Sequence, residues 1–248
     1  MSNPANKPEL IVNGKRLDGR GLDELRPIKI TSSVLKNAAG SSFIEWGNNK
    51  IMAAVNGPRE ALPKHTQDPD KAVIKCRYSM SPFSSIEEHG SSRPSRRSQE
   101  ISKVIREVFE NVAMLDYFPG GEIEIFVEVL QSDGGTRAAG ITAASVAMAD
   151  AGIPMRDLPY ALSVGRVGDT LITDMNKIED NYSDADIPMA VCPRNDEILL
   201  LQMDGTLKRG EFGQVFEKIK NAGKVISKLQ TDALKEPYIN IMKKYGGL

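Results

Sequence analysis

Apolar positions change their period several times along the chain. Residues 26–35, 41–46 and 50–56 are rich in Ile, Val and Phe, and Gly47-Asn48-Asn49 between the last two reads as a hairpin turn. Residues 57–70 form a polar, proline-rich loop, 72–80 is a further strand, and 81–97 is irregular and rich in Ser, Pro and Arg. The period then shifts. Ile101, Val104, Ile105, Val108, Phe109 and Val112 recur at spacings of three and four, the stripe of an amphipathic helix. Pro119-Gly120-Gly121 breaks it. Ile123, Ile125, Val127 and Val129 alternate with Glu122, Glu124 and Glu128, which predicts a strand with one buried face. After a turn over 132–135, the alanine-rich stretch 137–151 reads as a helix closed by Gly152, small enough in its side chains to lie close against a sheet.

Beyond Pro154 the pattern predicts two hairpins. One joins 160–167 to 170–175 around Gly168-Asp169, and the other joins 187–192 to 197–203 around Arg194-Asn195-Asp196. A long helix follows, with Phe212, Val215, Phe216, Ile219, Val225, Ile226 and Leu229 on one face. The fold class is α+β, with strands then helix in each half. The expected division is an N-terminal tail over 1–19, domains over 20–152 and 153–232, and a C-terminal tail over 233–248. The first tail ends in the charged turn Arg16-Leu17-Asp18-Gly19-Arg20.

Composition narrows the function classes. With 32 basic and 33 acidic side chains the net charge is −1, so any polyanion site must be a local patch rather than a generally basic surface. Two distant cysteines, Cys76 and Cys192, exclude a zinc ribbon or a paired-thiol centre and read as buried apolar residues in a reducing compartment. The first ten residues lack an apolar core, and no run approaches the ~20 residues a membrane span needs. A soluble, cytoplasmic protein with no membrane partner is expected.

Familiar catalytic signatures are missing. Neither GxxxxGK[ST], GxGxxG after a strand, nor HExxH occurs, and the two histidines, His65 and His89, stand in polar loops. Three other features carry chemistry. Gly134-Gly135-Thr136-Arg137 lies between an alternating strand and a helix, where free amides, a hydroxyl and a guanidinium could cradle an anion. It reads equally as a strand-to-helix turn with a surface arginine. Between Ser91 and Arg106, Arg93, Arg96, Arg97, Lys103 and Arg106 face one acid, Glu100, with Arg96 and Arg97 at the helix end that repels cations. That placement suggests an anionic partner, against a solvated charge run. Between Asp174 and Asp186, Asp174, Glu179, Asp180, Asp184 and Asp186 face only Lys177. Such a cluster holds Mg²⁺ or Mn²⁺, raises one carboxyl pKa for acid catalysis, or is a hydrophilic loop. An anion cradle, an arginine pair and a carboxylate pair are together the parts of a phosphoryl-transfer site. The lack of a histidine base fits inorganic phosphate as the attacking group, since phosphate is already ionised at neutral pH.

Six segments carry a family resemblance: 16–30 (RLDGRGLDELRPIKI), 47–60 (GNNKIMAAVNGPRE), 77–84 (RYSMSPFS), 95–110 (SRRSQEISKVIREVFE), 130–153 (LQSDGGTRAAGITAASVAMADAGI) and 178–191 (IEDNYSDADIPMAV). The chain resembles the RNase PH family, and within it the branch of catalytic ring subunits of the archaeal exosome. The resemblance implies two linked RNase PH-type subdomains, the first like domain 2 of ribosomal protein S5. It implies 3′-to-5′ phosphorolysis of single-stranded RNA with release of nucleoside diphosphates. On matching positions, Gly134, Gly135, Thr136 and Arg137 would hold the attacking phosphate with help from Arg97. Arg93, Arg96 and Arg97 would grip the RNA phosphates. Asp180 and Asp186 would be the acidic pair, Asp180 the first choice for protonating the leaving oxygen, with Mg²⁺ or Mn²⁺ bound by both as the competing role. Lys64 and His65 would line the RNA entrance. The resemblance further implies an inactive sister subunit in a ring of three copies each, under RNA-binding caps with S1 and KH or zinc-ribbon domains. Glu87-Glu88-His89 departs from the basic loop of this branch, which predicts weaker RNA affinity there. The alternatives are a homohexameric RNase PH trimming tRNA 3′ ends and a non-catalytic ring scaffold.

Overall fold

A computed structural model describes residues 8–85 and 95–244. Its first sheet holds β3 (Ile28–Ser32), β4 (Gly40–Trp46), β5 (Asn49–Glu60), β6 (Val73–Met80) and β7 (Gly121–Gln131), in the order β3-β4-β5-β7-β6. Trp46 pairs with Asn49, so Gly47 and Asn48 alone turn the β4–β5 hairpin, with Gly47 in the left-handed conformation at φ 57°. β6 runs parallel to β7, and α1 (Arg96–Val112) makes the crossover a parallel pair requires. The predicted stripe is the buried face of α1.

The second sheet has the order β11-β10-β8-β9, from β8 (Tyr160–Val167), β9 (Thr170–Thr173), β10 (Ala185–Cys192) and β11 (Glu197–Leu201). A two-residue strand, β12 (Asp204–Gly205), pairs with the start of β10. Between the sheets lies α2 (Thr136–Asp150), which touches β4, β5 and β7 on one side and β8 and β10 on the other. Its alanines and Gly140 suit this position: a Cβ on Gly140 would stand only 3.2 Å from Val127. One apolar core, including Ile44, Trp46, Ile125, Ile141, Val164 and Ile187, runs through both layers.

Three elements depart from the pattern-based expectation. Within the expected N-terminal tail, residues 8–19 hold a packed hairpin. β1 (Ile11–Val12) and β2 (Lys15–Arg16) form a hairpin, and Arg16 and Arg20 are buried. Arg16 Nε donates to Glu179 Oε1 at 2.6 Å and its Nη1 to the Thr173 carbonyl at 2.6 Å, so the segment is tied down by charge rather than by apolar spacing. A short helix, α3 (Lys177–Tyr182), occupies the acidic run, started by a capping box between Asn176 and Glu179. The last helix, α4 (Glu211–Lys244), passes unbroken through position 232 and contains Pro237. Its Ala233 is buried and accepts a hydrogen bond from Ser32 Oγ at 2.7 Å, so the last helix is anchored to an edge strand of the first sheet. Among the described residues no helix is long and apolar enough to cross a membrane.

Candidate active site

The turn 132–135 and the first residues of α2 build the anion cradle. Gly134 and Gly135 are both left-handed, at φ 72° and 68°, a conformation that glycine adopts without steric cost. Gly134 is needed for packing as well. A Cβ there would stand 2.6 Å from the carbonyl carbon of Asn176, so the turn lies directly against the start of α3. The glycine therefore makes room for protein backbone. Gly135 caps α2 with no side-chain acceptor, which leaves the first-turn amides of the helix open to an anion. Asn49 holds the turn in place: its Nδ2 donates to the Gly134 carbonyl at 2.7 Å and its Oδ1 accepts from the Asp133 amide at 2.5 Å.

The cradle's side chains are oriented from neighbouring elements. Thr136 is buried, and its Oγ1 accepts from the Tyr78 hydroxyl of β6 at 2.9 Å. Burial pushes the Tyr78 hydroxyl pKa up, so it stays protonated as a donor. Arg137 Nη2 donates to Glu100 of α1 at 3.3 Å, and the same carboxylate oxygen accepts from Gln202 Nε2 at 2.9 Å. The buried Nε of Arg137 has no hydrogen-bond partner among the described residues. Arg96 and Arg97 open α1 behind Ser95, whose side chain caps the helix by accepting from the Ser98 amide at 3.1 Å. Both arginines are exposed. Arg97 acts electrostatically on Tyr78, Asp180 and Asp186. Arg96 is not among the groups acting most strongly on that pair.

Asp180 stands on α3 and Asp186 at the start of β10. Desolvation raises the pKa of Asp180, opposed by Arg97 and Arg137. Asp186 is pushed up to about 7, by burial first and then by the Asp180 charge. Its Oδ1 is buried without a hydrogen-bond partner among the described residues. Two carboxyls that repel each other in a desolvated site hold one proton between them near neutral pH. Both carboxyls are shifted upward, Asp186 further than Asp180, the residue the sequence reading put first as the acid. Asp204 raises both groups further, because β12 places it opposite Asp186.

The acidic run divides in two. Asp174 and Glu179 are buried ion-pair partners: Asp174 Oδ1 accepts from Arg26 Nη2 at 2.7 Å, and Glu179 pairs with Arg16. Asp184 accepts from the Gly168 amide at 2.6 Å. Asp180 and Asp186 interact with Arg97 and Arg137, and among the described residues no three His, Cys, Asp or Glu side chains converge on one metal position. Lys64 and His65 are exposed in a 3-10 turn (Lys64–Thr66). That turn follows the end of β5 that pairs with Gly121, while the cradle follows Gln131 at the far end of β7. The strand between them has 11 residues, or roughly 33 Å of extended chain. Arg93 and the segment Glu87-Glu88-His89 lie outside the described residues.

Tyr78, Glu100, Asn49 and Asp204 escaped the sequence reading. None has a local signature: each reaches the site through strand pairing or helix packing. Asn49 was visible only as the last residue of the predicted hairpin turn, and Glu100 only as the one acid of the arginine-rich run.

Residues 24–154 match the family described as the 3′ exoribonuclease family, domain 1, and residues 157–218 match its domain 2. The exosome complex component Rrp41 of Thermococcus onnurineus is 52% identical over 247 residues, covering 100% of this chain and 99% of that protein. That of Pyrococcus furiosus is 54% identical over 235 residues, covering 95% and 94%. Among solved structures, rice Rrp46 superposes with a TM-score of 0.80 at 23% identity, covering 89% of this chain and 100% of that one. The Archaeoglobus fulgidus exosome with RNA bound to the active site gives a TM-score of 0.74 at 25% identity, covering 87% and 93%.

Proposed function

The chain belongs to the RNase PH family of 3′ exoribonucleases, and from that premise we propose that it is the catalytic subunit of an exosome core ring, degrading single-stranded RNA by phosphorolysis. The observation that carries this reading is the presence of both halves of the chemistry in one chain. An open helix start with Thr136 and a half-tethered Arg137 stands on one side, and a proton-holding carboxyl pair on the other. A ring scaffold needs neither.

In this mechanism phosphate enters at the α2 amides, Thr136 and Arg137, with Arg97 and Arg96 drawing in the last RNA phosphates. A phosphate oxygen attacks the terminal phosphorus while the bond to the 3′ oxygen of the penultimate nucleotide breaks. That oxygen takes the proton of the Asp180–Asp186 pair. The pair is reprotonated by the proton the hydrogen phosphate brought in, so a nucleoside diphosphate and a shortened RNA with a free 3′-hydroxyl are the only products. Arg137 and Arg97 stabilise the charge that builds on the transferred phosphoryl oxygens.

Mg²⁺ or Mn²⁺ fits the same pair. The partnerless Asp186 Oδ1 and the Asp180 carboxylate offer hard oxygen donors, and a small divalent ion takes one or two carboxylates and completes its shell with substrate phosphates and water. Such an ion would supply charge neutralisation for the entering phosphates. It would also favour the ionised pair.

The full assembly would alternate this chain with an inactive sister subunit, three copies each, beneath RNA-binding caps with S1 and KH or zinc-ribbon domains, in the cytoplasm. Lys64 and His65, at the far end of the sheet from the cradle, would meet RNA on its way in. The test is 5′-labelled oligoadenylate incubated with the chain, alone and with its sister subunit, with and without phosphate. Phosphate-dependent shortening with ADP release is expected. AMP release without phosphate would mean hydrolysis and end this reading.

A further inference from the structure

The buried ionic cluster beneath the cradle is not explained by stability. Burying a charged pair costs desolvation that its attraction seldom exceeds, and apolar residues of the same size would pack as well. What this cluster does possess is reach. Arg26 is buried at the start of the first domain, and its guanidinium spans two elements. Nη1 donates to the Asp133 carbonyl at 2.6 Å, and both Nη1 and Nη2 lie 3.4 Å from the Gly134 carbonyl. On the other side Nη2 donates to Asp174 Oδ1 at 2.7 Å, while Nε and the Arg26 amide donate to Asp174 Oδ2 at 3.1 and 2.7 Å. Asp174 itself is left-handed, at φ 60°, and takes a further bond from Trp46 Nε1 at 3.0 Å. It lies in the segment that runs from β9 into α3, the helix that carries Asp180.

We propose that Arg26 is the positioning residue of the phosphate cradle, one guanidinium that fixes the Asp133–Gly134 turn of the first domain against Asp174 of the second. The inference rests on the phosphorolytic reading of the site. Its physical basis is the pair of glycines. Two successive glycines lose more backbone freedom on ordering than any other residues would. A cradle built on them binds phosphate well only if something else has already ordered it. Arg26 does so from below and Asn49 from the side. The fit is close: a Cβ on Gly135 would come within 3.2 Å of Arg26 Nη2, and one on Gly47 within 2.7 Å of Arg26 Cδ. A lysine in this place keeps the charge but has one nitrogen, which reaches either the turn or Asp174 and not both.

Arg20 supplies the control. It belongs to the same cluster, donating to the Asp174 carbonyl at 3.1 Å and to Asp18 Oδ2 at 2.8 Å, but none of its hydrogen bonds goes to the turn. The experiment measures ADP release from oligoadenylate by the assembled ring across a phosphate titration at saturating RNA, with melting temperatures alongside. Arg26→Lys and Asn49→Ala should each raise the phosphate KM roughly tenfold, with kcat at saturating phosphate changed less than about threefold. Arg20→Lys should lower the melting temperature and leave the phosphate KM within about twofold of the parent. An unchanged phosphate KM in Arg26→Lys overturns the proposal. So does an equal rise in Arg20→Lys, which would make the cluster a structural element only. If Arg26→Lys does not assemble, Asn49→Ala decides by the same measure. A parent ring that releases no ADP would instead overturn the phosphorolytic reading.

Discussion

Asp186 and Asp204 are register partners across β10 and β12. The pairing sets a third carboxylate beside a pair that already repels itself, and Asp204 acts on both members. The outcome is an Asp186 carboxyl pushed up to about 7 by burial and by its acidic neighbours. In the proposed phosphorolysis, such an acid would be the source of the proton that the leaving 3′ oxygen takes.

That property has a cost in stability with a definite sign. In the folded chain Asp186 holds its proton to about pH 7, against 3.8 for an unperturbed aspartate. Between those values the native state binds more protons than the unfolded state, so its stability contribution is present at low pH and is lost as pH rises through 7. In chelator-containing buffer, Asp186→Asn should melt close to the parent at pH 4 and roughly 5 °C above it at pH 8. Parallel melting curves across that range would contradict the raised pKa.

Removing either carboxyl should stop the chemistry without disturbing the ring. Asp180→Ala and Asp186→Ala are each expected to lower kcat by roughly 100-fold or more, the scale of general acid catalysis. RNA affinity by filter binding should stay close to that of the parent. A variant that degrades RNA at the parental rate would remove its residue from the pair.

Arg137 should act on phosphate and little on RNA. Loss of a charged hydrogen-bond donor to an anion costs about 1.5–3 kcal/mol, so Arg137→Ala should raise the phosphate KM roughly 10- to 100-fold. The KM for oligoadenylate, measured at saturating phosphate, should change far less. Equal changes in both would place Arg137 on the RNA path instead.

The Arg16–Glu179 pair is fully buried and ties the N-terminal hairpin to the helix carrying Asp180. Arg16→Met alone leaves the buried Glu179 carboxylate with only the longer contact to Arg20 at 3.7 Å as an ionic partner and should cost about 3 kcal/mol of stability. Arg16→Met combined with Glu179→Leu should recover most of that loss, as read by denaturant melts. A double variant no more stable than Arg16→Met alone would show that the pair itself stabilises the fold, and strictly additive losses would show that the two side chains are not coupled.

The order and kind of the main elements were legible in the sequence because they rest on local period. Alternation at Ile123 to Val129 and the three-four spacing from Ile101 to Val112 both reappear as strand and helix faces. The helix α3 was not legible, since its six residues are too short for a stripe and the capping box starts it in a run of charge. The buried role of Arg16 was hidden for a related reason: its carboxylate partner is 163 residues away.

The residue types of the site were written in the chain itself: two glycines, a threonine and an arginine at a helix start, an arginine pair at another, and two spaced aspartates. Tertiary structure decided which of five clustered acids are silent. Arg16 and Arg26 neutralise Glu179 and Asp174 in the interior, while Asp180 and Asp186 are left desolvated beside Arg97 and Arg137. Charge and spacing are properties of the chain, but burial and pairing belong to the packed fold. A carboxylate's proton affinity is set by the water it loses and the charges it meets, and only the packing of two sheets around α2 determines both.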